Sequence, residues 1–432
     1  MKTIKNFLFL FLVLTCILTQ AQTISNQQSP SLLEGKASDV GLSSERLARI
    51  DSMCLEAIQE GHLPGVVALV SRNGKIVYHK AFGTSNATTK KKLHKDDIFR
   101  VASQSKAITA TAVMMLWEEG KFRLDDPISK YIPEFKKPRI LDSLLSNGTY
   151  LTTPAKNEIT IRHLLTHTSG IGYGMIDADE RIKKIYNEAG IVDLFTTEKI
   201  TIGDNIKELA KLPLHHNPGD AFTYSESYDV LGYLIEIVSG VPLDIFLRKH
   251  IFDPLEMNDT WFYLPQSKAD RLVSIQTKKE DQWINYPITF YDPQYPIKGE
   301  KQFFSGGAGL SSTALDYAKF LQMYLNKGEL NGVRLLSRTT VDIIMANHIS
   351  DLWGEDAGAH YGLAFMIQNQ KGEDSGGSGS VGSFSWGGYF NTQYFADPKE
   401  QIIGVILKQT QNINSDQTGW KFPILVGQSI DD

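Results

Sequence analysis

Only two cysteines, Cys16 and Cys54, occur in the 432 residues of this chain. Cys16 falls in the apolar run 7–18, between the basic start Met1-Lys2-Thr3-Ile4-Lys5 and Thr19-Gln20-Ala21. That order predicts a signal peptide over residues 1–21, cut after Ala21. Its removal leaves Cys54 alone, which excludes an intrachain disulfide and puts the burden of stability on a large core. A hydrophobic fraction of 42% can supply one. Thr15 and Ile17 fit a lipoprotein signal around Cys16 poorly. The apolar run is too short to cross a bilayer and no second long run follows, so no membrane span is expected. The mature chain is therefore expected to be exported, periplasmic or secreted. A basic stripe is also missing, and the net charge is −5, which excludes nucleic acid as an expected partner. The densest basic run, Lys90-Lys91-Lys92, lies in a polar loop over residues 86–97. No Gly-x-Ser-x-Gly is present, so a nucleophile elbow is not supported. His163 and His167 stand four apart but lack the third ligand of a His-Glu-x-x-His site. No metal and no cofactor are expected.

What is present reads as strands at both ends with helices between. Residues 22–40 are polar and rich in Ser and Gln, a loose leader. Leu47, Ile50, Cys54 and Ile58 recur at helical spacing, which predicts an amphipathic helix over 43–60. Two β-rich runs, 64–71 and 75–82, flank Arg72-Asn73-Gly74, whose Asn-Gly predicts a hairpin. An apolar helix follows and stops at Gly120. Residues 125–300 read as helical and loop-rich, with a long aromatic loop at 283–304. A helix over 312–326 leads back to strands at 383–391, 393–396 and 401–409, and a short helix is expected near 422–430. One sheet is thus expected from two distant segments, 41–124 and 301–432. The mostly helical 125–300 would be a subdomain inserted between them.

The chemistry-bearing segment is Phe99-Arg100-Val101-Ala102-Ser103-Gln104-Ser105-Lys106, running into Ala107-Ile108-Thr109-Ala110-Thr111-Ala112-Val113. Residues three apart share a helix face, so the Ser103 hydroxyl and the Lys106 amine can meet. A helix apolar all round is buried, and burial favours the neutral amine that a general base needs. Ser103 is then a serine nucleophile activated by lysine. Taken alone, such a tetrapeptide often arises by chance, and a small residue at the first turn of a buried helix is the better account of it.

Further segments decide between the two. Leu124-Asp125-Asp126-Pro127-Ile128, Ile161-Arg162-His163-Leu164-Leu165-Thr166-His167-Thr168-Ser169-Gly170, Asn217-Pro218-Gly219 with Phe222-Thr223-Tyr224-Ser225, and Gly306-Gly307-Ala308-Gly309-Leu310 follow in order. Together with the Ser103 motif they resemble the serine β-lactamase-related superfamily over about residues 45–410. That group includes class C β-lactamases, D-alanyl-D-alanine carboxypeptidases and family VIII carboxylesterases. The resemblance implies an α/β fold, an antiparallel sheet flanked by helices. It also implies Ser103 as the acylated nucleophile, Lys106 as its base and Tyr224 as the second proton-transfer group. The family's third motif, usually Lys-Thr-Gly, corresponds here to Trp386-Gly387-Gly388. The backbone N–H groups of Ser103 and Tyr389 would form the oxyanion hole.

Two departures matter. Trp386 replaces a cation that would hold a substrate carboxylate, and Trp-x-Gly resembles the carboxylesterases. Trp386, Gly387 and Gly388 are accordingly expected to line the substrate site. Tyr224-Ser225-Glu226 lacks the family's asparagine. Glu226 either enters the site and pins Lys106 as an ion pair, or opens a helix that Ser225 caps. His167 is expected to be structural, and His215-His216 to be loop polarity. The expectation is an exported serine hydrolase acting on a small-molecule ester through an acyl-enzyme. The alternatives are a D-amino-acid peptidase or β-lactamase, and a penicillin-binding or sensor-like domain that acylates without turnover.

Overall fold

The structure, a computed structural model, describes residues 25, 29, 32–376 and 379–432. The expected signal peptide and Cys16 lie outside the described residues. The Asn73-Gly74 pair makes the predicted hairpin. Both residues have positive φ (50° and 74°), the geometry of a two-residue turn that matches strand twist. It joins β2 (Gly65–Arg72) to β3 (Lys75–Asn86). β1 (Leu33–Glu34) and β4 (Lys91–Lys92) both pair with β3. The sheet is completed by β5 (Ala359–Tyr361), β6 (Met366–Gln368), β7 (Phe384–Gly388), β8 (Thr392–Asp397) and β9 (Ile402–Leu407). Its order is β1-β3-β2-β9-β8-β7-β6-β5, antiparallel except for β1 against β3. The expected loose leader is corrected in part: Leu33 and Glu34 pair with Lys75 and Ile76, and Ala37 and Val40 are buried. Ala37 and Val40 join the core layer of the helices Arg49–Gln59 and Thr418–Gly427, which the polar residues around them concealed.

The strand alternation splits the core in two. Val67, Leu69, Val405 and Leu407 face one layer, with α3 (Ser105–Glu118) and α5 (Ala314–Leu325). Val66, Ala68, Val70, Ile402 and Ile406 face the other, with α2 (Arg49–Gln59) and α6 (Thr418–Gly427). A four-residue helix, α1 (Ser44–Leu47), precedes α2, so the helix expected over 43–60 is broken at Ala48. α3 is buried on all sides from Ser105 to Met114, as its composition requires. Its two threonines find partners inside: Thr109 Oγ1 donates to Gly306 O and Thr111 Oγ1 to Ala107 O. Gly120, at φ 72°, ends it in the left-handed conformation that glycine adopts most readily.

Between the two sheet segments, α4 (Ser227–Ser239) packs on α3 and carries Tyr228 and Asp229 into the core. The middle region is less helical than expected, since it also holds the hairpins Arg139–Leu144 with Tyr150–Pro154 and Gln276–Lys279 with Gln282–Asn285. No single described helix is long and apolar enough to cross a membrane.

Candidate active site

Ser103 sits in a 3-10 turn, Ala102–Gln104, that leads into α3. The residue before it, Ala102, is fully buried with φ 45°. A left-handed backbone costs a non-glycine residue about 1–2 kcal/mol. Such strain persists only where surrounding structure enforces it, and it collects at functional sites. Here the turn is held by Val101 N–H donating to Leu310 O at 3.0 Å. Ser105, two residues on, is buried and accepts from Leu310 N at 3.1 Å, while Ser103 lines a cavity.

One helical turn further, the Lys106 Nζ lies 3.4 Å from Ser103 Oγ and donates to Gly307 O at 2.8 Å. It stands 4.7 Å from the Tyr224 ring centre. The lysine is fully buried. Its hydrogen bonds go to a hydroxyl and a neutral carbonyl. The ion pair with Glu226 considered above is not among them. Gly307 is fixed in turn: its N–H donates to Asp229 Oδ1 at 2.7 Å, and Ser305 Oγ donates to the same oxygen at 2.8 Å. Burial pushes the Asp229 carboxyl up to about 6, against these two donors and the nearby Lys106. Asp229 was missed by sequence reasoning, because nothing local distinguishes an aspartate in the first turn of a helix.

Tyr224 is held by aromatic rings. His167 packs 4.4 Å and Trp386 5.6 Å from its centre. The Trp386 indole N–H donates to the Tyr224 hydroxyl at 3.2 Å. His167 is buried at φ 55°, and its Nδ1 accepts from Ser225 N at 3.2 Å. That contact leaves the ring proton on Nε2, and burial depresses the ring's basicity. The expected structural role of His167 therefore has a specific content: it backs the Tyr224 ring.

Gly388 has a different use from that expected. A Cβ there would lie 2.3 Å from Val101 O and 2.3 Å from Thr392 Oγ1. The glycine lets β7 press against the backbone two residues before Ser103, rather than making room for substrate alone. The next residue, Tyr389, is anchored through its carbonyl, which accepts from Gln411 Nε2 at 2.5 Å. Beneath it, Phe195, Tyr291, Tyr295 and Phe390 form an aromatic cluster that uses the long loop 283–304. Buried Arg100 ties that loop to the Ser103 segment by donating to Pro293 O, and it also donates to Val273 O at 2.7 Å.

Glu226 is corrected as a substrate-site residue. It is buried and does not line the cavity. It precedes α4 without capping it through its side chain. Ser225 Oγ instead accepts from Ser227 N at 3.3 Å. Neither Glu226 carboxyl oxygen meets a donor. Burial and then the Asp193 carboxylate drive its pKa well above the ordinary glutamate range. Asp193 is occupied as an acceptor for Gly174 N at 2.9 Å and Met175 N at 2.5 Å. A neutral Glu226 satisfies this site; an ionised one does not.

The cavity holds about 850 Å³. Ser103, Tyr224, Trp386, Gly387, Gly388 and Tyr389 all line it, and among the described residues no charged side chain does. A second cavity of about 770 Å³ shares Ile176 and Tyr224 with the first and is rimmed by Asp177, Asp179, Glu180, Arg181 and His215. His215 is more than loop polarity, since its Nε2 meets Asp177 Oδ2 at 3.0 Å. Among the described residues no cluster of metal-ligating side chains occurs.

This arrangement of strand, turn and helix defines a serine hydrolase of the β-lactamase fold, and the comparisons agree. The family model described as Beta-lactamase matches residues 50–427, and the chain belongs to that family. Esterase EstB of Burkholderia gladioli is 28% identical over 385 residues, 84% of this chain and 90% of that protein. Lovastatin esterase of Penicillium rubens is 28% identical, over 82% and 91%. Among solved structures, EstCE1, described as a hydrolase with promiscuous acyltransferase activity, superposes with a TM-score of 0.74. It is 26% identical, over 90% of this chain and 99% of that one.

Proposed function

We propose that the protein is an exported esterase that works through an acyl-enzyme on Ser103. The observation that carries this reading is the common cavity of Ser103, Tyr224 and Tyr389, with Lys106 buried 3.4 Å behind the serine. Lys106 takes the Ser103 proton as the hydroxyl attacks the ester carbonyl. The Ser103 and Tyr389 N–H groups receive the developing oxyanion, each worth about 2.7–4 kcal/mol in comparable sites. Tyr224 passes a proton to the departing alcohol, and water then releases the acid by the reverse path. Export rests on the N-terminal pattern of residues 1–21.

Ester is favoured over D-peptide or β-lactam by the cavity wall. Those substrates present a carboxylate, and no cation among the described lining residues would meet it. Two Escherichia coli relatives at 28% identity carry provisional D-alanyl-D-alanine carboxypeptidase names, so peptides belong in the test. Purified protein should turn over a neutral 4-nitrophenyl ester much faster than a cephalosporin or a D-alanyl dipeptide. Faster turnover of a cephalosporin would replace the esterase reading with the lactamase one. Acylation without turnover of any substrate would replace it with the sensor reading.

A further inference from the structure

We infer that the site is built for esters of extended apolar acids, with the acyl chain lying in a groove between β7 and α6. The inference rests on the esterase reading and names its substrate class.

The cavity that Ser103 lines does not end at Trp386. It continues past Gly387 to Met366, Phe395, Trp420, Pro423 and Ile424. The strand alternation explains the path. Trp386 and Gly388 face Tyr224 and Val101, whereas Ser385 and Gly387, paired with Phe395 and Gln393, face the α6 side. Along β7, β6 pairs with Phe384 and Ser385 alone, so it stops short of Trp386, Gly387 and Gly388. A Cβ on Gly387 would come within 3.2 Å of Thr392 O and 3.7 Å of Gln393 Cγ, on the α6 side of the strand. The missing side chain thus opens the bend by which the cleft reaches the outer face of the sheet. Phe395 is packed there against Phe422 of α6 with ring centres 6.1 Å apart, which fixes the groove floor.

The far end is uncharged and mostly apolar, with Gln368 and Gln393 among its lining, and it is uncovered. Met366, Trp420 and Ile424 are 37%, 58% and 49% exposed. An uncharged, mostly apolar channel continuous with a nucleophile fits a flexible hydrocarbon chain. The chain belongs to the acid rather than the alcohol for a positional reason. Tyr389 N–H, at the end of β7, places the ester carbonyl at the end of the strand along which the groove runs. Tyr224, which protonates the alcohol, also borders the polar second cavity, lined by Asp177, Asp179, Glu180, Arg181 and His215. The alcohol leaves that way while the acid stays on Ser103.

The test is a pair of substrate series on the full chain, with Trp420→Ala and Ile424→Glu as variants. Both side chains are exposed, and thermal unfolding verifies that each variant folds. In 4-nitrophenyl esters from acetate to decanoate, wild-type kcat/KM should rise with acyl length. The decanoate-to-acetate ratio should fall at least about tenfold in each folded variant, through KM. In alkyl acetates of growing alcohol length the variants should leave the profile unmoved. A flat acyl profile, an unchanged ratio in both variants, or a shift confined to the alcohol series overturns the inference while leaving the esterase reading intact. Failure to hydrolyse any ester overturns both.

Discussion

The indole N–H of Trp386 donates to the hydroxyl of Tyr224 at 3.2 Å, across the mouth of the cleft that Ser103 lines. An uncharged donor thus stands at a position where the superfamily resemblance led to the expectation of a cation, and it points at the Tyr224 hydroxyl. It steadies the phenol while adding no charge to attract a carboxylate.

Trp386→Phe keeps the ring packing and removes that donor. A hydrogen bond to a group that gains charge is worth about 1.5–3 kcal/mol. Ester kcat should fall roughly tenfold or more with little change in KM. Trp386→Lys should instead raise relative activity on carboxylated substrates, mostly through KM. Steady-state kinetics on one neutral ester and one D-alanyl peptide separate the two effects; equal kcat in wild type and Trp386→Phe would show the donor to be idle.

Lys106→Arg tests the base. Guanidinium cannot accept a proton at working pH. Loss of a general base typically costs 10²–10⁴-fold, so kcat/KM on an ester should drop by about that much. Activity near wild type in this variant would remove Lys106 from the mechanism.

Glu226→Gln should remain active, because the neutral acid it replaces makes no hydrogen bond to Lys106 and does not line the cavity. Its effect is on stability. A carboxyl raised in the folded state favours folding below its ordinary value of 4.5, and that benefit is lost as pH rises. The variant should therefore melt close to wild type near pH 4 and above it at pH 8. A variant less stable at pH 8, or inactive, would mean that the carboxylate is ionised and used.

How far this site could be read from sequence depends on where each partner lies. Ser103 and Lys106 share a helix face, so three-residue spacing was enough to place them together. The Asn73-Gly74 hairpin was equally local. Glu226 stayed open between two readings because its burial, and the Asp193 carboxylate beside it, come from the fold and not from its own segment. The left-handed Ala102 leaves no mark in composition, since alanine does not prefer that conformation. The role of Gly388 was assigned to substrate because the backbone of Val101, its actual neighbour, is nearly three hundred residues away in the chain. The Trp386–Tyr224 hydrogen bond likewise joins positions 162 apart.

Lys408 and Asp416 form a buried ion pair at 2.9 Å, with Thr418, the first residue of α6, donating to Asp416 Oδ1. Burial alone would raise the Asp416 carboxyl, but Lys408 and its hydrogen bonds hold it below the ordinary aspartate value. Its contribution to stability is thus present above that value and lost as pH falls below it. Asp416→Asn leaves Lys408 buried without its counter-ion and should cost about 3–5 kcal/mol. Denaturant unfolding at pH 7 measures this. A loss below 1 kcal/mol would mean the pair is dispensable.

The central claim is that Ser103 is acylated. A fluorophosphonate probe on the purified chain, followed by peptide mass spectrometry, tests it most directly. The account predicts one modified residue, Ser103, with no label on the buried Ser105 and none on the Ser103→Ala variant. Labelling that persists in Ser103→Ala, or that maps to another serine, would contradict it.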